Sequence, residues 1–152
     1  MNTKKKFLAP ALAAFLLIGP AIEPANAAHP PWNQKTKCEA KDPDGRRIPT
    51  RYGNSHLGWN HLSGKHNVKK CAFITSALNG DVDEEHGPRL VYYGNAVRPG
   101  KKVIKTRVIV QYARQTNEKK KEDRYTVKKG EVIGVITAYC YGMNKCPHWV
   151  NE

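Results

Sequence analysis

Histidine changes charge near neutral pH, so two imidazoles held together are suited to moving protons. The segment Arg51 to Val68, RYGNSHLGWNHLSGKHNV, carries three of the chain's six histidines, His56, His61 and His66, at intervals of five residues. Lys65 adjoins the last of them, and Trp59 and Leu62 supply apolar bulk. On a continuous helix a spacing of five turns neighbouring histidines about 140° apart. All three converge only if the chain bends, and Gly58 and Gly64 are the residues that would permit it. The simpler expectation is that one or two histidines face a cleft and the third is solvated. A set of surface histidines in a basic protein is the competing reading, and spacing alone does not separate the two.

Before elements can be assigned, the N-terminus must be set aside. Lys4, Lys5 and Lys6 precede an apolar run from Phe7 to Ile18, and Ala25-Asn26-Ala27 follows. A basic start, a short apolar core and an A-x-A end form the pattern of a secretory signal peptide. Residues 1–27 are therefore read as a leader cleaved after Ala27, and the mature chain as secreted. The apolar run is short for a membrane span and no later segment reaches that length, so stable membrane insertion is not expected. Three lysines and one glutamate lie in residues 1–27, which takes the formal charge from +13 to +11. Such a surplus favours a polyanionic partner: nucleic acid, an anionic membrane or an acidic polymer.

Four cysteines in an exported chain imply two disulfides. Cys140 and Cys146 bracket the short loop YGMNK, which leaves Cys38 to pair with Cys71. A zinc site is the rival, but no C-x-x-C pair is present.

The elements that must position the histidines follow from pattern. Residues 28–50 are rich in Pro, Lys and Asp and read as an extended N-terminal arm with turns. The domain proper spans 51–152. The histidine stretch is expected to be partly helical, capped by Asn54 or Ser55. A clearer helix covers Lys69 to Asn79, with Cys71, Ile74 and Leu78 at helical spacing and Gly80 at its end. Asp81, Asp83, Glu84 and Glu85 read as a solvated turn rather than a metal site. The second half is β-like: Arg89 to Val97, Thr106 to Arg114, and a hairpin within RYTVKKGEVIGVITAYC turning at Lys129-Gly130. In the last strand Val132, Gly134, Ile136 and Ala138 would face one way and Ile133, Val135, Thr137 and Tyr139 the other, as in a central strand. The expected fold is α+β, with N-terminal helices packed on a four-stranded antiparallel β-sheet in a single monomeric domain.

RNA cleavage without a metal suits these side chains. The 2′-hydroxyl attacks its own phosphate when a base takes the proton, an acid protonates the leaving 5′-oxygen, and a cation stabilises the developing charge. GWNHLSGKH (Gly58 to His66) together with a final strand ending VITAYC (Val135 to Cys140) resembles the Barnase–EndoU–colicin–RelE superfamily. Its toxin and phage members combine an early H-(I/L)-x-x-x-H pattern with a late (V/I)-x-T-x-Y strand. The likeness spans roughly residues 51–141. It implies a metal-independent, cofactor-free ribonuclease with His61 and His66 in the acid–base roles. It also implies phosphate contact by Thr137, and phosphate bonding or base stacking by Tyr139. The cationic stabiliser matches less well: Arg107, Lys105 and Lys65 all qualify, and Arg107 ranks first because its planar fork grips phosphate bidentately. Lys65 and Lys105 are then substrate-binding residues. Gly64 and the cysteines depart from the family pattern, and the expected partner is RNA, with a cognate inhibitor protein as an open second.

Each residue also has a plainer reading. Thr137 and Tyr139 are ordinary strand formers, Arg107 could be solvated at a strand edge, and Trp59 is a core anchor. His29, His86 and His148 carry no readable role. Two rival functions remain at this level. One is a metal-dependent HNH-type (ββα) nuclease using His61, Asn67 and His66, which no obvious β-hairpin precedes. The other is a non-enzymatic secreted cationic binder or antimicrobial protein.

Overall fold

The computed structural model describes residues 29–152. The segment read as a signal peptide, with its expected cleavage after Ala27, lies outside the described residues. Residues 29–152 form an α+β structure with a two-stranded and a four-stranded antiparallel sheet and two α-helices.

The expected arm is instead a hairpin. β1 (Asn33–Lys41) pairs antiparallel with β2 (Arg47–Gly53), turning at the DPDG sequence, where Asp42 accepts from the Gly45 and Arg46 amides. Proline and lysine do not forbid strands when a neighbour supplies the ladder, and Pro49 sits here in β2, opposite Glu39. The helices therefore precede the large sheet but follow a β-hairpin. They are α1 (Trp59–His66) and α2 (Cys71–Leu78).

Neither Asn54 nor Ser55 caps α1. The residue before the helix is Gly58, at φ 76° and without a side-chain cap. Asn54 Oδ1 instead accepts from the amides of His56 and Leu57, at 2.8 and 3.3 Å, and closes a turn of its own. Helix α1 ends at Asn67, whose left-handed φ of 58° is a conformation asparagine tolerates.

β3 (Glu84–His86), β4 (Arg89–Ala96), β5 (Ile104–Gln111) and β6 (Gly134–Cys140) form the large sheet in that order. Two expectations change here. Part of the acidic segment read as a solvated turn is the edge strand β3. The proposed hairpin at Lys129-Gly130 does turn, through Glu131 N to Lys128 O, but its first arm makes only an isolated bridge between Thr126 and Gln115. β6 is thus an edge strand of its sheet rather than a central one. Outside the sheet, β2 and α1 both pack against it.

A bulge breaks the simple alternation of β6. Ile109 faces Thr137 while the adjacent Val110 faces Val135, so Ile136 is the extra residue. Val135 and Ala138 consequently both enter the main core with Leu62, Phe73, Ile74, Leu78, Tyr92 and Val108. A smaller cluster, Leu57, Tyr125, Val127 and Ile133, closes the other side of the bulge.

Disulfides join Cys38 to Cys71 and Cys140 to Cys146, the pairing the spacing implied. The first fixes the hairpin to α2. A buried polar cluster fixes it to the sheet: the Tyr92 hydroxyl of β4 donates to Asp42 at 2.8 Å, and Arg46 donates to the same carboxylate oxygen at 2.7 Å. Burial raises the Asp42 pKa, but the bonds from Arg46 and Tyr92 outweigh it and hold the carboxyl below its ordinary value. That stabilisation is present above about pH 4 and is lost as pH falls through the lowered value.

Replacing Asp42 by alanine would strand the buried Tyr92 hydroxyl and the Arg46 guanidinium. We expect a loss of about 3 kcal/mol in urea unfolding at pH 7, shrinking toward pH 3 as the wild type also loses the carboxylate.

Candidate functional site

The site assembles where α1 crosses the edge of β6. The Gly58 amide donates to the carbonyl of Ile136, the bulged residue, at 2.9 Å. Two close approaches require glycine. A Cβ on Gly58 would lie 2.6 Å from the Arg51 carbonyl oxygen, and one on Gly134 would lie 1.9 Å from that of Pro49. Both residues also have positive φ.

Along α1, at about 100° per residue, Leu62 falls between His61 and His66. Leu62 is fully buried in the main core. The two imidazoles therefore flank the buried stripe and meet without a bend at Gly64, their ring centroids 5.2 Å apart and nearly perpendicular. His56 does not join them. Its ring meets the Tyr125 hydroxyl at 3.2 Å, on the far side of the bulge.

Both paired histidines are oriented through Nδ1. His61 Nδ1 lies 2.8 Å from the Ser55 carbonyl oxygen, and His66 Nδ1 lies 3.2 Å from that of Asn144. A carbonyl only accepts, so each Nδ1 carries the proton and Nε2 is the basic nitrogen. The loop presenting Asn144 is the one closed by Cys140–Cys146, and the Cys146 amide also donates to the His66 carbonyl at 2.9 Å. Partial burial lowers the His66 pKa from its ordinary 6.5, and the neighbouring His61 and Lys65 lower it further; the Asn144 bond opposes them.

The remaining predicted residues lie on the adjoining sheet face. Tyr139 of β6 stands beside His66, with ring centroids 5.3 Å apart. Its register partner is Arg107 of β5, whose Nη1 donates to the Tyr139 hydroxyl at 3.1 Å. Thr137 shares that face, opposite Ile109, and its Oγ1 is buried without a hydrogen-bond partner, as is Arg107 Nε. Such unpartnered buried atoms are uncommon. Lys105 extends the row, its Nζ 3.7 Å from the centroid of Tyr93. Lys65 is exposed beside His66.

Sequence reasoning missed Glu84, Tyr93, Tyr141 and Asn144. Glu84 accepts from the Tyr93 hydroxyl at 2.6 Å and from Arg107 Nη2 at 3.3 Å, so it aligns the guanidinium. The Tyr93 bond, aided by Arg107, holds the Glu84 pKa below its ordinary value. Tyr93 was visible as the residue facing outward in a strand. Asn144 acts through its backbone and left no signal in the side-chain sequence.

Asn67 has a structural task. Its Nδ2 donates to the Cys146 carbonyl at 3.0 Å. Among the described residues no group of three or more His, Cys, Asp or Glu side chains is arranged to hold a metal ion. No helix among them is long and apolar enough to cross a membrane. Comparisons with protein-family models, curated proteins and solved structures return no match.

In a proton-NMR titration, His66 should show a midpoint below about 6.5. Lys65→Gln should move that midpoint upward by removing a repelling charge, while unfolding in urea should return it to the ordinary value. A His66 midpoint at or above about 6.5 in the folded protein would contradict this account.

Proposed function

We propose that the protein is a metal-independent endoribonuclease, exported to act on RNA outside the producing cell. The observation that carries this reading is the paired imidazoles, each tethered through Nδ1, set against Arg107 and Tyr139 on one sheet face. The resemblance of Gly58–His66 and Val135–Cys140 to Barnase–EndoU–colicin–RelE ribonucleases points the same way.

His66 has the lowered pKa and stays neutral at physiological pH, so it is the general base. Its Nε2 takes the proton of the 2′-hydroxyl as that oxygen bonds to phosphorus. His61 fills the general-acid role, giving a proton to the departing 5′-oxygen as the phosphorus–oxygen bond breaks. The products are a 2′,3′-cyclic phosphate and a 5′-hydroxyl. Arg107 neutralises the non-bridging oxygens, with its fork aimed by Glu84 and Tyr139. Tyr139 offers its hydroxyl to the same phosphate, Thr137 lies beside it with its Oγ1 buried, and Lys65 and Lys105 hold flanking phosphates. DNA lacks the attacking hydroxyl and would be bound but not cut.

An HNH-type nuclease is less well supported, although β1–β2 is a hairpin ahead of the histidines, which sequence reading had not anticipated. Asn67, the third member of that pattern, is committed to Cys146. A cationic binder accounts for the charge but not for two oriented imidazoles.

The deciding assay incubates oxidised protein 28–152 with single-stranded RNA in excess EDTA and identifies the product ends. Wild type should yield 2′,3′-cyclic phosphate, and His61→Ala and His66→Ala should each lose about 10²- to 10⁴-fold in rate. Intact RNA with a folded wild type would sink the reading and favour the binder. Cleavage abolished by EDTA would favour the HNH-type alternative.

A further inference from the structure

Beside the acid–base pair, the sheet carries two tyrosines, Tyr93 and Tyr141, that the proposed chemistry does not use. Tyr93 is the register partner of Arg107, and Lys105 sits one step along the same face of β5. The Tyr141 amide donates to the Lys105 carbonyl at 2.8 Å, which continues the ladder one residue past β6 and keeps Tyr141 on the face of Tyr139. The rings of Tyr93 and Tyr141 meet edge-on at 5.9 Å. The Lys105 ammonium covers one face of Tyr93 and lies 5.5 Å from the Tyr141 centroid.

Tyr141 is 52 % exposed, a large amount for an aromatic side chain already in contact with another ring. It is also well anchored. It directly follows Cys140, whose disulfide to Cys146 closes the loop, so little freedom remains to be lost when a partner lands on the ring. An exposed, pre-set ring with a lysine and an arginine within one or two strand positions matches the chemistry of a nucleotide: a flat base to stack and phosphates to neutralise.

We propose that Tyr141, backed by Tyr93 and Lys105, is a stacking subsite for one unpaired nucleobase next to the phosphate held by Arg107. The consequence is selection of single strands. In a duplex both faces of each base are already stacked, so this ring has nothing to take. The location of the phosphate rests on the ribonuclease reading, but the stacking can be measured without cleavage.

The test uses fluorescence anisotropy with a five-nucleotide oligodeoxyadenylate, which lacks the 2′-hydroxyl, and an abasic backbone of equal length and charge. Wild type should bind the adenylate about 5- to 150-fold more tightly than the abasic strand. Tyr141→Ala, with its fold confirmed by circular dichroism, should bind the two alike, and Tyr141→Phe should restore the preference. With the adenylate paired to its complement in a stable hairpin, Tyr141→Ala and wild type should bind alike, because phosphate contacts alone remain. Equal binding of both strands by wild type, or a Tyr141→Ala loss that is the same on both, would overturn the subsite. A base-dependent cycle in a protein that leaves RNA intact would keep the subsite and remove the nuclease; RNA cleavage by a protein indifferent to bases would do the reverse.

Discussion

One hydrogen bond links the two elements of the candidate site directly: the Gly58 amide to the Ile136 carbonyl. It joins the residue that opens α1 to a bulge in β6, and the two halves of the candidate site lie on either side of it. Bulges re-aim side chains and interrupt pairing, and here the displaced carbonyl finds its partner in a helix rather than a strand. The glycines around it follow from that geometry. Side chains at Gly58 and Gly134 would collide with backbone carbonyls of β2, so the hairpin, helix and edge strand fit together only because these positions are bare.

Around this junction the molecule is braced from two directions. The Cys38–Cys71 bridge and the Asp42–Tyr92–Arg46 cluster hold the hairpin against α2 and the sheet. On the other side Arg51, nearly buried, donates to the Gln34 and Val132 carbonyls and pairs with Glu131 at 3.0 Å. A buried guanidinium is tolerated because almost every donor it carries is used. The hairpin is therefore the clamp that holds β6 in place, a role its proline- and lysine-rich sequence does not advertise.

Much of this was legible in the sequence. The spacing of Cys71, Ile74 and Leu78 identified α2, the β-branched runs identified β4 and β5, and cysteine spacing gave both bridges. What failed did so for physical reasons. Strand β3 is three residues of Glu and His, whose composition argues for solvent; only pairing with β4 makes it a strand. The bulge at Ile136 moved Val135 and Ala138 to one side, which strict alternation cannot foresee. The nearness of His61 to His66 depended on where Leu62 was buried, and the orientation of His66 depended on a backbone carbonyl almost eighty residues away.

The order of the chain adds a temporal consequence. Both histidines belong to an early helix, whereas Tyr139 and the loop that presents Asn144 come near the end of the sequence. A polypeptide emerging N-terminus first exposes its imidazoles long before the strand and loop that orient them exist. The edge strand β6 has no sheet to join until β5 is out, and His66 lacks its carbonyl partner until the Asn144 loop is made. The arrangement of His66 against Tyr139 and the Asn144 carbonyl is thus out of reach of any chain that stops short of that loop.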